Sequence, residues 1–175
     1  MQYKQSGFSM IELMIVIAIS AILVAMAAPS FRTSIRNASM DTLQSNLSMA
    51  LKLARSEAIA GTPRNRGYNV DNVNVCATSN NTSCSSTWGN GWMVYVPTTA
   101  AGSTPGVVLR VFKGDSTFTI SPDTATPNNI IFNSLGFPTS DGSAVIRPSF
   151  TLTDSQSMAT TKTLTMENTG SITVQ

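Results

Sequence analysis

A single carboxylate stands inside an apolar run. The stretch from Phe8 to Ala28 is 21 residues long, and Glu12 is its only charge. As a helix it would be roughly 30 Å long, enough to cross a bilayer. An acidic group costs about 2.5 kcal/mol or more near the middle of such a span, and less near its end. The chemistry open to Glu12 is therefore ion pairing with a cation that a low-dielectric surrounding makes strong. The alternative is a carboxylate that snorkels to the interface from one turn inside.

Other chemistry is poorly provided for. The chain has no histidine, so it has no Ser-His or Cys-His pair and no His-based metal site. Asp and Glu are few and scattered, and no GxxxxGK[ST] phosphate loop is present. These features predict a protein that is not an enzyme and needs no metal or cofactor. Charged residues make up 11% of the chain and the net charge is +2. That is too little to argue for nucleic acid on its own.

The elements that must carry these residues follow from periodicity. The apolar run reads as helix, with a kink or local break at Pro29. Helical spacing then resumes to about Ala60. Ile35, Leu43, Leu47, Leu51, Ala54 and Ala58 form an apolar stripe, with Gln44 and Lys52 off it. Gly61-Thr62-Pro63 is a stop signal. Beyond it, short strands are predicted at 68–70, 73–77, 91–96, 107–112, 117–120, 129–132, 145–152, 162–167 and 171–174. They are separated by Gly, Pro, Asn and Asp, as at Gly89-Asn90-Gly91 and Asp141-Gly142. Pro148 demotes part of its run. The fold class is α+β: a long N-terminal helix, its first half transmembrane, packed on a C-terminal antiparallel β-sheet domain. Trp88 and Trp92 are expected to pack rather than to bind. Arg55 and Glu57, two apart on the helix, are expected on a solvated face or against the following sheet.

Ser6-Gly7-Phe8-Ser9-Met10-Ile11-Glu12-Leu13 resembles the signal of type IV prepilins and pseudopilins. The resemblance implies a leader over residues 1–7, with Lys4 as its positive charge. It implies cleavage after Gly7 by a prepilin peptidase and N-methylation of the new terminus, Phe8. Glu12 would serve assembly by pairing with the cationic amine of a neighbouring subunit's Phe8. Residues 8–28 would be the transmembrane half of the helix, 29–61 its amphipathic half, and 62–175 a β-rich globular domain. The competing secretory signal has an apolar core of 7–15 residues. This run is too long for that, and Glu12 would interrupt it, although Ala25-Met26-Ala27 imitates a cleavage site. Lys4 favours a cytoplasmic N-terminus, whereas Arg32 and Arg36 argue the other way. The resemblance implies N-in and C-out: an inner-membrane protein with its globular part in the periplasm, and other pilin subunits as partners.

The later motifs narrow the resemblance to the GspH/FimT group of minor pilins and pseudopilins. They are Ala54-Arg55-Ser56-Glu57-Ala58-Ile59, Val75-Cys76, Cys84, Trp88-Gly89-Asn90-Gly91-Trp92, Ile131-Phe132-Asn133-Ser134-Leu135-Gly136, and a closing Gly170 before a last strand. Export to an oxidising compartment makes a Cys76–Cys84 disulfide the leading reading, with two free buried thiols as the alternative. Type IV pili, type II secretion pseudopili and DNA-uptake pili all remain open settings. DNA-uptake members carry Gly-Arg-x-Arg at the closing glycine, but Ser171, Ile172 and Thr173 follow Gly170 here. Weak duplex-DNA binding is the expectation, with Arg64 and Arg66 as the candidate contacts.

Overall fold

The computed structural model describes residues 7–65, 67–68, 70–99, 102, 104–140 and 144–175. One helix, α1 (Met10–Ile59), runs without interruption for 50 residues. Ser9 caps it, its side chain accepting a hydrogen bond from the Glu12 backbone N–H. Ser9 and Glu12 hold the first and last places of a capping-box sequence. Pro29 lies inside α1 and does not break it, which corrects the expected local break. Proline removes its own N–H from the ladder and crowds the carbonyl four residues back, but the residues on either side continue the helix. Thr33 and Ser34 bond back to the carbonyls of Pro29 and Ser30.

A short turn of helix, α2 (Thr62–Asn65), follows. The remaining elements are strands β1 (Val73–Ala77), β2 (Gly91–Pro97), β3 (Pro105–Lys113), β4 (Phe118–Pro122), β5 (Asn129–Phe132), β6 (Pro138–Thr139), β7 (Ser149–Asp154), β8 (Lys162–Met166) and β9 (Ile172–Val174). A 3₁₀ turn, Trp88–Asn90, leads into β2. Two antiparallel sheets result, ordered β3-β2-β1-β5-β6 and β4-β7-β8-β9. Tyr68 and Val70 of the expected strand at 68–70 are not in a strand: Gly67 takes φ +82° and Tyr68 donates its N–H to the Pro63 carbonyl, closing a turn after α2. Asn69 lies outside the described residues. The run at 145–152 becomes a strand only from Ser149, after Pro148. Val145 forms just an isolated bridge to Thr139. The two-residue β6 carries no periodic signal, since two residues cannot alternate.

The core lies between α1 and the sheets. Met40, Leu43, Leu47, Ala50, Leu51, Ala54 and Ala58 of α1 are buried against Val73, Val75, Trp92, Val94, Ile130 and Phe132 of the first sheet. Phe150, Leu152, Leu164 and Met166 of the second sheet join the same cluster. Ile35, expected in the stripe, is exposed, and Gln44, expected outside it, is buried. The buried stripe starts at Met40, and at the level of Ile35 the helix meets the globular part through Arg36 instead. The Gln44 amide finds a backbone acceptor in the Thr163 carbonyl, 3.2 Å away. That bond satisfies a group that would otherwise be costly to bury.

The outer face of β1 and β2 has its own small cluster of Cys76, Met93 and Tyr95, with Cys84 packed on it. Cys76 and Cys84 are disulfide-bonded, so the loop between them is held over this face. Reduction of the bridge is expected to lower the stability of the fold by about 2–3 kcal/mol, the chain-entropy value for so short a loop. Urea unfolding with and without reductant measures this. An unchanged midpoint would mean that the packing of Tyr95 and Met93 alone fixes the loop.

Candidate functional site

The residues with functional potential lie along α1. At its start, a side chain placed on Gly7 would meet nothing within 4 Å, and Phe8 is 83% exposed. Glu12 is exposed in the first helical turn, where a carboxylate interacts favourably with the helix dipole. No ion pair to Glu12 forms among the described residues. Every residue from Met10 to Arg32 is exposed. The helix is long and apolar enough there to cross a membrane, and none of its most apolar stretch is buried.

The helix meets the sheets first through polar groups. Arg36 donates from Nη2 to Asp154 Oδ1 at 2.6 Å and from Nε to Oδ2 at 3.3 Å. Its guanidinium also lies 4.9 Å from the centre of the Phe118 ring and bonds Thr117 Oγ1. The next residue, Asn37, accepts through Oδ1 from the Thr160 N–H at 3.0 Å, and Asp41, just over one turn beyond Arg36, pairs with Lys162. Neither Arg36 nor Asp154 stands out in the sequence as a site residue. A signal was nevertheless present, because Phe150-Thr151-Leu152-Thr153-Asp154 alternates. Phe150, Leu152 and Asp154 share the inward face, and an inward carboxylate requires a partner.

Burial by itself would raise the Asp154 carboxyl. The backbone N–H groups of Gln156, Ala159 and Met158, together with Arg36, more than offset that and hold it at about 2. The Asp115 carboxyl is also held low, chiefly by hydrogen bonds from the Thr117 side chain and backbone. A carboxyl near 3.9 in the unfolded chain and lower when folded favours the fold at any pH above the unfolded value. That contribution is lost as pH falls through the folded value. Urea midpoints are therefore expected to hold steady from pH 7 to about 4 and to drop between about 4 and 2. Asp154→Asn should flatten this acid limb while lowering the midpoint at pH 7. An acid limb unchanged in the variant would assign it to other carboxylates.

At the far end of α1, Arg55 reaches the closing turn rather than solvent. Gly170 takes φ +83°, and a side chain there would collide with the Arg55 guanidinium. Gly136 (φ +79°) makes similar room for Ile59 and Arg55. This is the structural meaning of the closing glycine. Trp88 and Trp92 are fully buried. Trp88 packs edge-on to Phe150 with ring centroids 4.8 Å apart, and Trp92 stacks with Phe112 at 6.2 Å.

Among the described residues, two more of the basic side chains beyond α1 are already matched by acids. Arg64, a candidate DNA contact, is paired with Asp71, and Arg147 is paired with Glu167. Arg66 lies outside the described residues. Hydrogen bonding to Asp71 holds the Arg64 guanidinium above its ordinary value, and the Asp71 carboxyl is correspondingly lowered.

A long N-terminal apolar helix, with its second half packed on antiparallel sheets, defines the pilin class of protein. Residues 2–28 match the prokaryotic N-terminal methylation motif. Residues 44–170, more than half of the chain, match the type II transport protein GspH family, and the chain belongs to that family. It is a minor pilin or pseudopilin, a structural subunit. Two crystal forms of the type IV minor pilin FimU from Pseudomonas aeruginosa are similar in structure. One aligns with a TM-score of 0.54 at 18% identity, over 78% of this chain and 87% of that one. The other gives 0.52 at 20%, over 77% and 91%. At these identities the likeness speaks for the fold. No curated protein sequence matches the chain significantly.

Proposed function

We propose that this chain is cut after Gly7, methylated on the Phe8 amine, and held in the inner membrane by residues 8–28. The β-rich part, 62–175, would stand on the periplasmic side with residues 29–61 as the packed half of the helix. From there the subunit would enter a type IV pilus-like filament. One observation carries this reading: α1 is wholly exposed from Met10 to Arg32 but buried on one face from Met40 onward. An apolar helix of that length needs lipid or the apolar helices of other subunits around it. Both are available to a pilin-like subunit, before and after extraction from the membrane. Glu12 then has a partner in the terminal amine of an adjacent subunit, created by the cut itself. Gly7 suits the cut because it presents no side chain beside the scissile bond.

Mass spectrometry of the mature N-terminus tests the reading. The expected species begins with N-methylated Phe8, and a chain beginning after Ala27 or Ala28 would overturn it. A type II secretion pseudopilus is the second reading, favoured by the description of the matched family. Co-purification of the full chain with pilus subunits or with secretion-system subunits separates the two. DNA binding is no part of the principal reading. The Arg64 charge is already matched by Asp71, and few phosphates would be neutralised.

A further inference from the structure

The loop between β7 and β8, residues 155–161, sits against the point where α1 leaves its apolar run. Met158 forms a cleft with Ala28, Pro29, Arg32 and Thr33 of the helix. The loop is firmly built. The Asp154 carboxylate accepts hydrogen bonds from the N–H groups of Gln156, Met158 and Ala159, each at 3.0 Å. Ser157 takes φ +54° between them. Arg36, Asn37 and Asp41 fasten the same segment to the helix from Asp154 to Lys162. Met158 therefore keeps a fixed height along α1.

That height can be read against a bilayer. Ala28 ends the apolar run, and at 1.5 Å per residue Pro29 to Thr33 lie about 1.5–7.5 Å beyond it. The headgroup layer on each side of the hydrocarbon core is roughly 5–8 Å thick. The cleft is graded in the matching sense: Ala28, Pro29 and Met158 are apolar, whereas Arg32 and Thr33 are polar. Arg32 is exposed and makes no ion pair among the described residues. A cationic head above an apolar wall is complementary to a phosphodiester above the start of its acyl chains.

We propose that the β7–β8 loop is a second membrane contact, in which Met158 and Arg32 hold phospholipid headgroups of the leaflet from which the helix emerges. The inference rests on the reading that residues 8–28 span the membrane. It adds that the globular part is seated on the bilayer rather than tethered above it, so extraction into a filament must also release this contact.

The test uses the full chain reconstituted in phospholipid vesicles. Because both native cysteines are bonded, an environment-sensitive fluorophore can be attached to one introduced thiol in unreduced protein. The three positions are Met158→Cys, Ala21→Cys within the span, and Ser134→Cys beside the far end of α1, roughly 45 Å beyond Ala28 along the helix. Spin-labelled lipids serve as quenchers. Headgroup-labelled lipid is expected to quench the probe at 158 but not at 134, and acyl-chain-labelled lipid to quench the probe at 21. Arg32→Gln should weaken the quenching at 158 and leave that at 21 unchanged. Quenching at 21 with none at 158 would overturn the loop contact while the span stands, leaving the cleft to a neighbouring subunit. No quenching at 21 would overturn the span and the loop contact together. Quenching at 158 that Arg32→Gln does not alter would overturn the role given to Arg32.

Discussion

Glu12→Ala is expected to leave the subunit in the membrane and keep it out of filaments. Insertion should be unchanged or better, since an acidic group in the apolar run has been removed. Incorporation should fall roughly a hundredfold or more, because breaking a low-dielectric ion pair from one side costs about 3–5 kcal/mol. On the proposed pairing, the alanine variant would strand the neighbouring amine without a counter-charge, and Glu12→Gln should do almost the same despite its shape. Membrane fractionation and the amount of subunit in sheared filaments give the two readouts. Equal incorporation of mutant and wild type would mean that the carboxylate is merely tolerated at the helix start, where it lies in the first turn.

Phe150→Ala should produce the largest loss of stability, about 3–5 kcal/mol. Phe150 is fully buried on β7 and meets the edge of Trp88, which leads into β2 of the other sheet. The pair joins the two sheets across the core that α1 also fills. Truncation removes both the buried area and the aromatic contact, leaving a cavity among Leu152, Leu164 and Met166. Arg32→Gln, on the exposed part of α1, provides a surface comparison that should change stability by less than about 0.5 kcal/mol. Denaturant unfolding of both variants in the same detergent checks this. A Phe150→Ala midpoint close to that of the wild type would show that the sheets hold together without the aromatic contact.

Much of this molecule is written in local patterns. Leu43, Leu47, Leu51, Ala54 and Ala58 repeat at helical spacing and are buried as a stripe. Strands β1 and β5 fall at their expected limits, 73–77 and 129–132, because each is a short apolar-rich run between polar turns. The helix start was equally legible, since its signal is a run of adjacent residues. Less local features were harder. Met40 and Ala50 complete the stripe only because the sheets lie on that side of α1. Arg55 points at Gly170 only because the chain returns to the far end of the helix.

The class of protein, the apolar anchor with its single carboxylate, the α+β plan and most strands can all be read from the order of residues. The class follows from the resemblance of the Gly7–Glu12 signal and the later motifs to a known family. The anchor, the α+β plan and the strands depend on periodicity and composition within about twenty residues, where backbone geometry alone dictates which side chains share a face. Where the helix first touches the sheets is settled by the packed fold instead. Arg36 and Asp154 are 118 residues apart, and no periodicity relates them. Their meeting depends on the rotation of α1 over two sheets, which the whole core fixes at once. The same rotation brings Met158 beside Pro29 and Arg32.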